Sequence, residues 1–228
     1  MVTAIIVFVY NMTQFAAWAW TLFLLVWDFR EGKTSQYTDN EDFRFALAIA
    51  QCSQSLDILF SALRWTPNAL GTVLMQLASR LFVVLVVFPL AVDTQPFPFI
   101  EYTVLAWSIT EIIRFIFYSF KSLQSIVGHL RYNSFLVLYP LGVSCECACF
   151  LFAHLALGKM SATEQEEKML LVQMPNYLNV GLSIDYLIML MAPTYAIGFP
   201  MLFGHMLAQR KKFYGAGSAD KTVKQKSN

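Results

Sequence analysis

The chain has 228 residues, of which 57% are hydrophobic and 14% are charged, and its mean hydropathy is +0.52. Soluble domains carry about 25% charged residues, so this composition is typical of a membrane protein and leaves no room for a separate soluble domain. The formal net charge of +1 gives no electrostatic argument for nucleic acid as a partner.

Apolar runs of about 20 residues, the length that crosses a bilayer, recur along the chain between short polar segments. We predict an all-α, polytopic membrane protein built as a bundle of six transmembrane helices. The predicted spans are Thr3–Trp27, Phe43–Leu63, Leu70–Leu90, Pro98–Phe120, Tyr132–Leu157 and Tyr177–Leu207. Pro193 and Pro200 predict a kink in the last span, because proline removes a helical hydrogen bond.

The carboxyl-terminal tail, residues 210–228, decides the predicted orientation. It follows a single six-span membrane domain, residues 1–209, and it is the most basic segment of the chain. An even number of spans places both termini on one side, and the positive-inside rule predicts that this side is the cytosol. The last five residues, KQKSN, resemble the dilysine signal for retrieval to the endoplasmic reticulum. A solvated basic tail without a signal is the alternative.

Ionisable residues inside the predicted spans are the most informative polar positions. They are Asp57, Arg80, Glu111, Arg114, Glu146 and Asp185. A charge at the bilayer centre costs about 3 kcal/mol on insertion scales, so such groups face the bundle interior and usually pair. Glu111 and Arg114, three residues apart on one helix, are predicted to pair locally, either as a structural pair or as the lining of a pocket. Asp57 and Arg80 are predicted to pair across neighbouring spans.

Glu146 differs from the other charged positions because no basic residue lies within one helical turn of it. Tyr139 precedes it by seven residues, which is within about 20° of two helical turns and about 10.5 Å along the axis, so both side chains share a face. Gly142 lies between them and is predicted to leave a gap for a chain-like substrate, beside a kink at Pro140. A phenol and a buried carboxyl across such a gap outline an acid–base pair. A glutamate that only hydrogen bonds to another helix is the structural alternative.

The four cysteines fall inside predicted spans, where packing is their expected role. On a helix Cys145 and Cys149 share a face and Cys147 points away from both, so three thiolates cannot converge on one metal ion. None of the four cysteines, Cys52 included, is followed by an arginine six residues later, as a cysteine phosphatase requires. We therefore expect no metal site and no phosphatase chemistry.

Seven stretches of the chain, in order, resemble one family. They are LDILFSALRW, LMQLASRLFVV, WSITEIIRFIFYSF, RYNSFLVLYPLGVSCE, MPNYLNV, IDYLIMLM and GFPMLFGHMLAQRKK. From about Leu56 to Lys212 the chain resembles the very-long-chain 3-hydroxyacyl-CoA dehydratases of fatty acid elongation, also called protein-tyrosine-phosphatase-like proteins. It departs from the family at Phe60, where many members have histidine, and at Cys145, where many have glycine.

The resemblance implies a six-span enzyme of the endoplasmic reticulum membrane with cytosolic termini. Such an enzyme removes water from a very-long-chain (3R)-3-hydroxyacyl-CoA to give the trans-2-enoyl-CoA, the third step of the elongation cycle. Tyr139 and Glu146 match the family's catalytic pair. Arg80, Arg131 and Gly142 match positions with supporting or substrate-binding roles. The implied partners are the acyl-CoA substrate, the lipid bilayer and the other elongation enzymes, namely the elongase, the ketoacyl-CoA reductase and the enoyl-CoA reductase.

The chemistry of this elimination needs a base for the C2 proton and an acid for the C3 hydroxyl, without a cofactor. Glu146 is the expected base and Tyr139 the expected acid, because an unperturbed tyrosine with a pKa of about 10 is a poor base. The opposite assignment stays open. The phosphates of CoA predict an entrance on the cytosolic side, near Lys121, Arg131 and the basic tail. A non-catalytic membrane scaffold or a lipid-binding protein on the same fold is the alternative function.

Overall fold

The computed structural model describes residues 2–32, 37, 40–66, 69–167, 171–172, 177 and 181–226. The α-helices, in chain order, are α1 Val2–Arg30, α2 Glu41–Ser53, α3 Leu56–Ala62, α4 Leu70–Phe82, α5 Phe88–Ala91, α6 Phe99–Ser119, α7 Gln124–Leu157, α8 Ala162–Glu167 and α9 Ile184–Lys226. A π-helix, Val83–Val87, joins α4 to α5, and a 3₁₀ turn, Lys121–Leu123, precedes α7. Two-residue strands, β1 Leu171–Val172 and β2 Leu182–Ser183, pair antiparallel between α8 and α9. The predicted all-helical class is confirmed.

Five helical stretches are long and apolar enough to cross a membrane, and each overlaps a predicted span. They are Val2–Arg30, Glu41–Ala62, Leu70–Ala91, Lys121–Leu157 and Ile184–Gly215. The five do not include α6, which is long enough at 21 residues but carries Glu101, Glu111 and Arg114. The described residues therefore make a multi-pass helical membrane protein in which five of the six predicted spans meet both requirements.

Helix α6 lies in the middle of the bundle. It packs chiefly against α1 and α7. Its buried side chains include both apolar and polar residues: Ile100, Glu101, Thr103, Val104, Ala106, Trp107, Ser108, Glu111 and Phe115. Because these polar groups contact protein, α6 can carry charges that a lipid-facing helix could not.

The third apolar stretch, Leu70–Ala91, changes from α-helix to π-helix just before a proline. The backbone N–H of Phe88 donates to the carbonyl of Val83, five residues back, which is the π-helical pattern. Pro89 follows and has no N–H, so it cannot make the bond to Leu85 that an α-helix requires. The wider turn is where the helix adapts to this proline.

The two longest helices extend beyond the predicted spans. Helix α7 begins at Gln124, eight residues before the predicted start at Tyr132. Helix α9 begins at Ile184 rather than at Tyr177, and it continues to Lys226, across the predicted boundary between membrane domain and tail. Hydropathy marks where a helix crosses the bilayer, whereas the helix itself continues into water. Both helices run through their prolines without a break: Pro140, Pro193 and Pro200.

The hydrophobic core lies among α1, α2, the π-helix with α5, α6 and α7. Its largest fully buried apolar side chains are Trp18, Phe43, Phe88, Phe115, Leu25, Leu47, Ile100 and Leu157. Helix α9 packs against α7 at the edge of this core, and only 6% of its apolar window is buried inside the protein. The contacts that α9 makes with α7 therefore define how α9 is held.

Candidate active site

Glu146 is where three helices meet. Its side chain projects from α7 and is 7% exposed. The indole Nε1 of Trp107, on α6, donates a hydrogen bond to Oε1 of Glu146 at 2.7 Å. The hydroxyl of Tyr195, on α9, donates to the other oxygen, Oε2. Both carboxyl oxygens of Glu146 thus accept a hydrogen bond from a buried or half-buried aromatic side chain.

Tyr139 lies nearer to the amino-terminal end of α7 and also faces α9. Its ring stacks on Phe199, with centroids 5.3 Å apart and the planes at 12°, and on Phe203, with centroids 6.2 Å apart and the planes at 15°. The side chain is half-buried, and within the described residues its hydroxyl makes no hydrogen bond. The ring of Tyr139 is therefore held while its O–H can still donate to a ligand.

The contacts of α9 show that Tyr139 and Glu146 share a face of α7. Tyr195, Phe199 and Phe203 are spaced by four residues, so they form one stripe along α9. Tyr195 contacts Glu146, and the two phenylalanines contact Tyr139. This arrangement agrees with the two-turn spacing of Tyr139 and Glu146 in the sequence.

Gly142 is buried and faces α6, not an open space. A Cβ atom at Gly142 would lie 3.5 Å from the Cβ of Ala106. The side chain of Ala106 therefore lies next to Gly142 at ordinary van der Waals distance, and the predicted role of Gly142 beside a substrate stays a prediction. The close approach of the two helices places Trp107, the residue after Ala106, within reach of Glu146, one turn beyond Gly142.

Arg80 links Trp107 to a buried network of charges. Its guanidinium lies 5.0 Å from the centroid of the Trp107 ring, and its Nη1 pairs with Oε1 of Glu111 at 2.5 Å. Glu111 also pairs with Nε of Arg114 at 2.6 Å, as the spacing of the two residues predicts. Arg114 in turn pairs with Asp57 at 3.3 Å. The predicted pair between Asp57 and Arg80 is therefore wrong: each has a different partner on α6.

Arg131 lies away from this carboxyl, towards the amino-terminal end of α7. Its guanidinium covers the rings of Phe117 and Tyr118, at 4.9 Å and 5.0 Å from their centroids. Its Nη2 donates to the hydroxyl of Tyr118 at 3.2 Å. Fifteen residues of helix separate Arg131 from Glu146, about 22 Å along the axis, so the two are not brought together.

The cysteines of α7 follow the predicted faces. Cys145 and Cys149 are buried and Cys147 is exposed, and all of them are free thiols. His154 pairs with Asp185 through Nδ1 at 2.6 Å, near the far end of α7 from Arg131. Within the part of the chain that is described, no three histidine, cysteine, aspartate or glutamate side chains cluster as metal ligands would.

Trp107 and Tyr195 contact the candidate carboxyl, and both were missed from the sequence. Each is an aromatic residue with a polar head inside an apolar helix, a type that needs a hydrogen-bond partner when it is buried. Tyr195 also begins a stripe of aromatic residues at helical spacing. These two signals were available, but they do not say which of several buried acceptors each residue meets.

The fold and the site together define a class of protein: a multi-pass helical membrane protein with a carboxyl group held in its interior by aromatic hydrogen-bond donors. Comparison with known proteins gives the family. The family model described as "Protein tyrosine phosphatase-like protein, PTPLA" matches residues 51–216. The chain belongs to this family.

Curated relatives cover nearly the whole chain. The chain is 34% identical to "Very-long-chain (3R)-3-hydroxyacyl-CoA dehydratase hpo-8" of Caenorhabditis elegans, over 93% of this chain and 95% of that protein. It is 34% identical to the dehydratase PASTICCINO 2 of Arabidopsis thaliana, over 89% and 90% of the two chains. It is 29% identical to human very-long-chain (3R)-3-hydroxyacyl-CoA dehydratase 2, over 90% of this chain and 78% of the human protein. No solved structure matches the chain.

Proposed function

We propose that this protein dehydrates very-long-chain (3R)-3-hydroxyacyl-CoA to trans-2-enoyl-CoA, the third step of the fatty acid elongation cycle. The observation that carries the proposal is the carboxyl of Glu146, held at both oxygens inside a helix bundle and on the same face as the hydroxyl of Tyr139. The names of the relatives support the same reaction. The enzyme is a hydro-lyase.

In the proposed mechanism, Glu146 removes the proton from C2 of the substrate and Tyr139 donates a proton to the hydroxyl that leaves C3. Two hydrogen bonds leave further lone pairs on the carboxyl of Glu146, because a carboxylate has about four acceptor positions. The hydroxyl of Tyr139, which makes no hydrogen bond within the described residues, is suited to donate. General acid–base catalysis of this kind contributes about 10²- to 10⁴-fold to a rate.

The proposal is tested with purified protein in detergent and 3-hydroxyacyl-CoA of several chain lengths. The expected result is formation of enoyl-CoA, followed by its absorbance and by mass spectrometry. The alternative is a non-catalytic scaffold or a lipid-binding protein on the same fold, and it predicts binding of acyl chains with no change in the mass of the substrate. The buried carboxyl favours the enzyme, since a scaffold gains nothing from the cost of burying it.

We propose that the membrane domain, residues 1–209, crosses the membrane six times, with α6 as the fourth span in chain order and both termini in the cytosol. The position of α6 inside the bundle supports its crossing, since its charged residues pair with other helices rather than face lipid. The cations that this topology places on the cytosolic side agree with the positive-inside rule. The basic tail, residues 210–228, then extends α9 into the cytosol.

The six-span topology makes a sharp prediction about the two termini. In sealed vesicles of endoplasmic reticulum, protease added outside is expected to remove epitope tags from both ends of the protein. If α6 did not cross, the number of spans would be odd and one tag would be protected. A glycosylation acceptor inserted between Gly158 and Lys159 is expected to be modified, because the turn after α7 would lie in the lumen.

Residence in the endoplasmic reticulum and association with the elongase and the two reductases are further parts of this proposal. The relatives are named for a very-long-chain acyl-CoA substrate, which supports a place in fatty acid elongation. The sequence KQKSN supports retrieval of the protein to the endoplasmic reticulum from later compartments. The last two residues of this signal lie outside the described residues. Replacing both lysines of KQKSN with serine is expected to move the protein beyond the endoplasmic reticulum.

We place the CoA end of the substrate at the cytosolic ends of α7 and α9. Residues 115–145 and 186–219 contain no aspartate or glutamate, whereas Arg131 and Arg210 lie there with Lys211. Arg210 donates to Asn133 of α7 at 3.2 Å and covers the ring of Tyr214 at 5.2 Å. A cavity of about 580 Å³ beside them is lined by Arg210, Lys211 and Tyr214. Cations without nearby carboxylates attract phosphate.

The distances along α9 agree with the length of CoA. Arg210 follows Tyr195 by fifteen residues, about 22 Å of helix. The extended pantetheine arm has about thirteen bonds between its sulfur and the first phosphate, about 15 Å by the reach of an extended chain. The thioester end and the length of an arginine side chain cover the remainder. Phosphates near Arg210 would therefore leave C2 of the substrate near Glu146.

Removing these cations is expected to weaken binding of CoA and not of the acyl chain. In the double variant Arg210→Gln and Lys211→Gln, KM for a 3-hydroxyacyl-CoA should rise about tenfold, a loss of about 1.4 kcal/mol of binding free energy. KM for the pantetheine thioester of the same acid should not change, because it has no phosphate. Lys159→Gln, at the opposite end of α7, is the control. An equal rise in KM for both substrates would contradict this placement.

A further inference from the structure

Trp107 is held in one orientation by three contacts. Its ring stacks on Phe88, with centroids 5.9 Å apart and the planes at 27°. The guanidinium of Arg80 lies over the same ring at 5.0 Å, and Arg80 is itself held by its ion pair with Glu111. The side chain is 4% exposed, and its Nε1 reaches Glu146. An indole has one hydrogen-bond donor, so this orientation aims that donor at one oxygen of the carboxyl.

Tyr195 approaches the same carboxyl from α9. Its ring packs edge-on against Phe150 of α7, with centroids 5.3 Å apart and the planes at 77°. Its hydroxyl donates to Oε2 of Glu146, the oxygen that Trp107 does not contact. Since α9 buries little of its apolar surface elsewhere, this contact joins α9 to the bundle at the level of the carboxyl.

The two donors together fix the plane of the Glu146 carboxyl. Rotation of the terminal torsion, which is broad and roughly twofold in a free glutamate, would break the bond to Trp107 or the bond to Tyr195. The lone pairs that remain then point in defined directions. A base that removes a proton from carbon depends on such alignment, and a displacement of about 1 Å can lower a rate about 10²-fold.

We propose that Trp107 and Tyr195 are positioning residues for Glu146, and that Arg80 acts on the same carboxyl through the indole that it covers. This inference rests on the proposed function, because it assigns these residues to the proton-removal step of that reaction. It also gives Arg80 a role without contact to substrate: the ion pair to Glu111 fixes the guanidinium, and the guanidinium fixes the indole.

Two substitutions remove the donors while keeping the rings. Trp107→Phe keeps a ring against Phe88 and Arg80 but has no N–H. Tyr195→Phe keeps the ring against Phe150 but has no hydroxyl. Each variant is expected to lower kcat about 10- to 100-fold with KM for the acyl-CoA unchanged, because each donor is already engaged by the carboxyl of Glu146. Trp107→His, which restores a ring N–H, is expected to recover part of the lost kcat.

Matched controls separate the lost hydrogen bond from altered packing. Trp18 is fully buried, and its Nε1 has no partner among the described residues, so Trp18→Phe shrinks a buried ring without removing a hydrogen bond. Tyr186 is exposed on α9, so Tyr186→Phe is the control for Tyr195→Phe. Both control variants should keep the wild-type kcat. Thermal unfolding of the two Phe variants and the two controls in detergent measures how much stability each loses through altered packing.

A spectroscopic readout tests the inference independently of turnover. The infrared carboxyl band of Glu146 is identified by its disappearance in Glu146→Gln. This band is expected to shift in Trp107→Phe and in Tyr195→Phe, and to stay unchanged in Trp18→Phe. An unshifted band, or Phe variants with the wild-type kcat, would overturn the positioning role. If the wild-type protein forms no enoyl-CoA but the band still shifts in the two Phe variants, the proposed function is refuted and the contacts of the carboxyl are established.

Discussion

Glu146→Gln is expected to abolish turnover while leaving the protein folded and inserted. Glutamine is close in shape to glutamate, its carbonyl can accept from Trp107, and its amide can donate to the oxygen of Tyr195. The contacts that hold the side chain therefore persist, but the amide cannot take a proton from carbon. We expect kcat to fall about 10²- to 10⁴-fold. Steady-state formation of enoyl-CoA, with thermal unfolding in the same detergent, is the measurement.

Glu111→Gln is the matched control, since it replaces another buried glutamate on a neighbouring helix. Glu111 is 2% exposed and pairs with Arg80 and Arg114, so its loss leaves two cations in the interior without their common partner. Breaking a buried pair in this way costs about 3 to 5 kcal/mol of unfolding free energy. The expected pattern is an inactive but stable Glu146 variant and a destabilised Glu111 variant. A stable, fully active Glu146→Gln protein would exclude Glu146 from the chemistry.

The contrast between these two glutamates also shows what the sequence could predict. Both stand out because a carboxyl is costly inside an apolar helix. Glu111 has Arg114 three residues later, so its local pair was predictable. Glu146 has no such neighbour, and this absence, with Tyr139 two turns away, pointed to a site. Local spacing along one helix was therefore enough to select the candidate carboxyl.

Contacts between helices were not predictable in the same way. Asp57 and Arg80 lie on consecutive predicted spans, but each pairs with a residue of α6, which packs in the middle of the bundle. Order along the chain does not determine which helices touch. For the same reason Gly142 could not be assigned to a close contact with Ala106, nor Trp107 and Tyr195 to the carboxyl. These details depend on packing, which a single sequence does not encode in its local pattern.

Tyr139→Phe is expected to stop dehydration of the natural substrate, and a substrate with a different leaving group separates the roles of the two residues. The substitution keeps the ring stacked on Phe199 and Phe203, so the fold should be unchanged. It removes the proton that the departing hydroxyl of the substrate needs. A fall in kcat of about 10²- to 10⁴-fold is expected for 3-hydroxyacyl-CoA.

A 3-chloroacyl-CoA loses chloride, which leaves as an anion and needs no proton. If Tyr139 is the acid, Tyr139→Phe should eliminate chloride at close to the wild-type rate, measured above the uncatalysed reaction. Glu146→Gln should remain inactive with the same compound, because the C2 proton still needs a base. The opposite result, in which Glu146→Gln recovers activity and Tyr139→Phe does not, would reverse the two assignments. The Tyr139 hydroxyl, which makes no hydrogen bond within the described residues, and the Glu146 carboxyl, which is held at both oxygens, favour the first outcome.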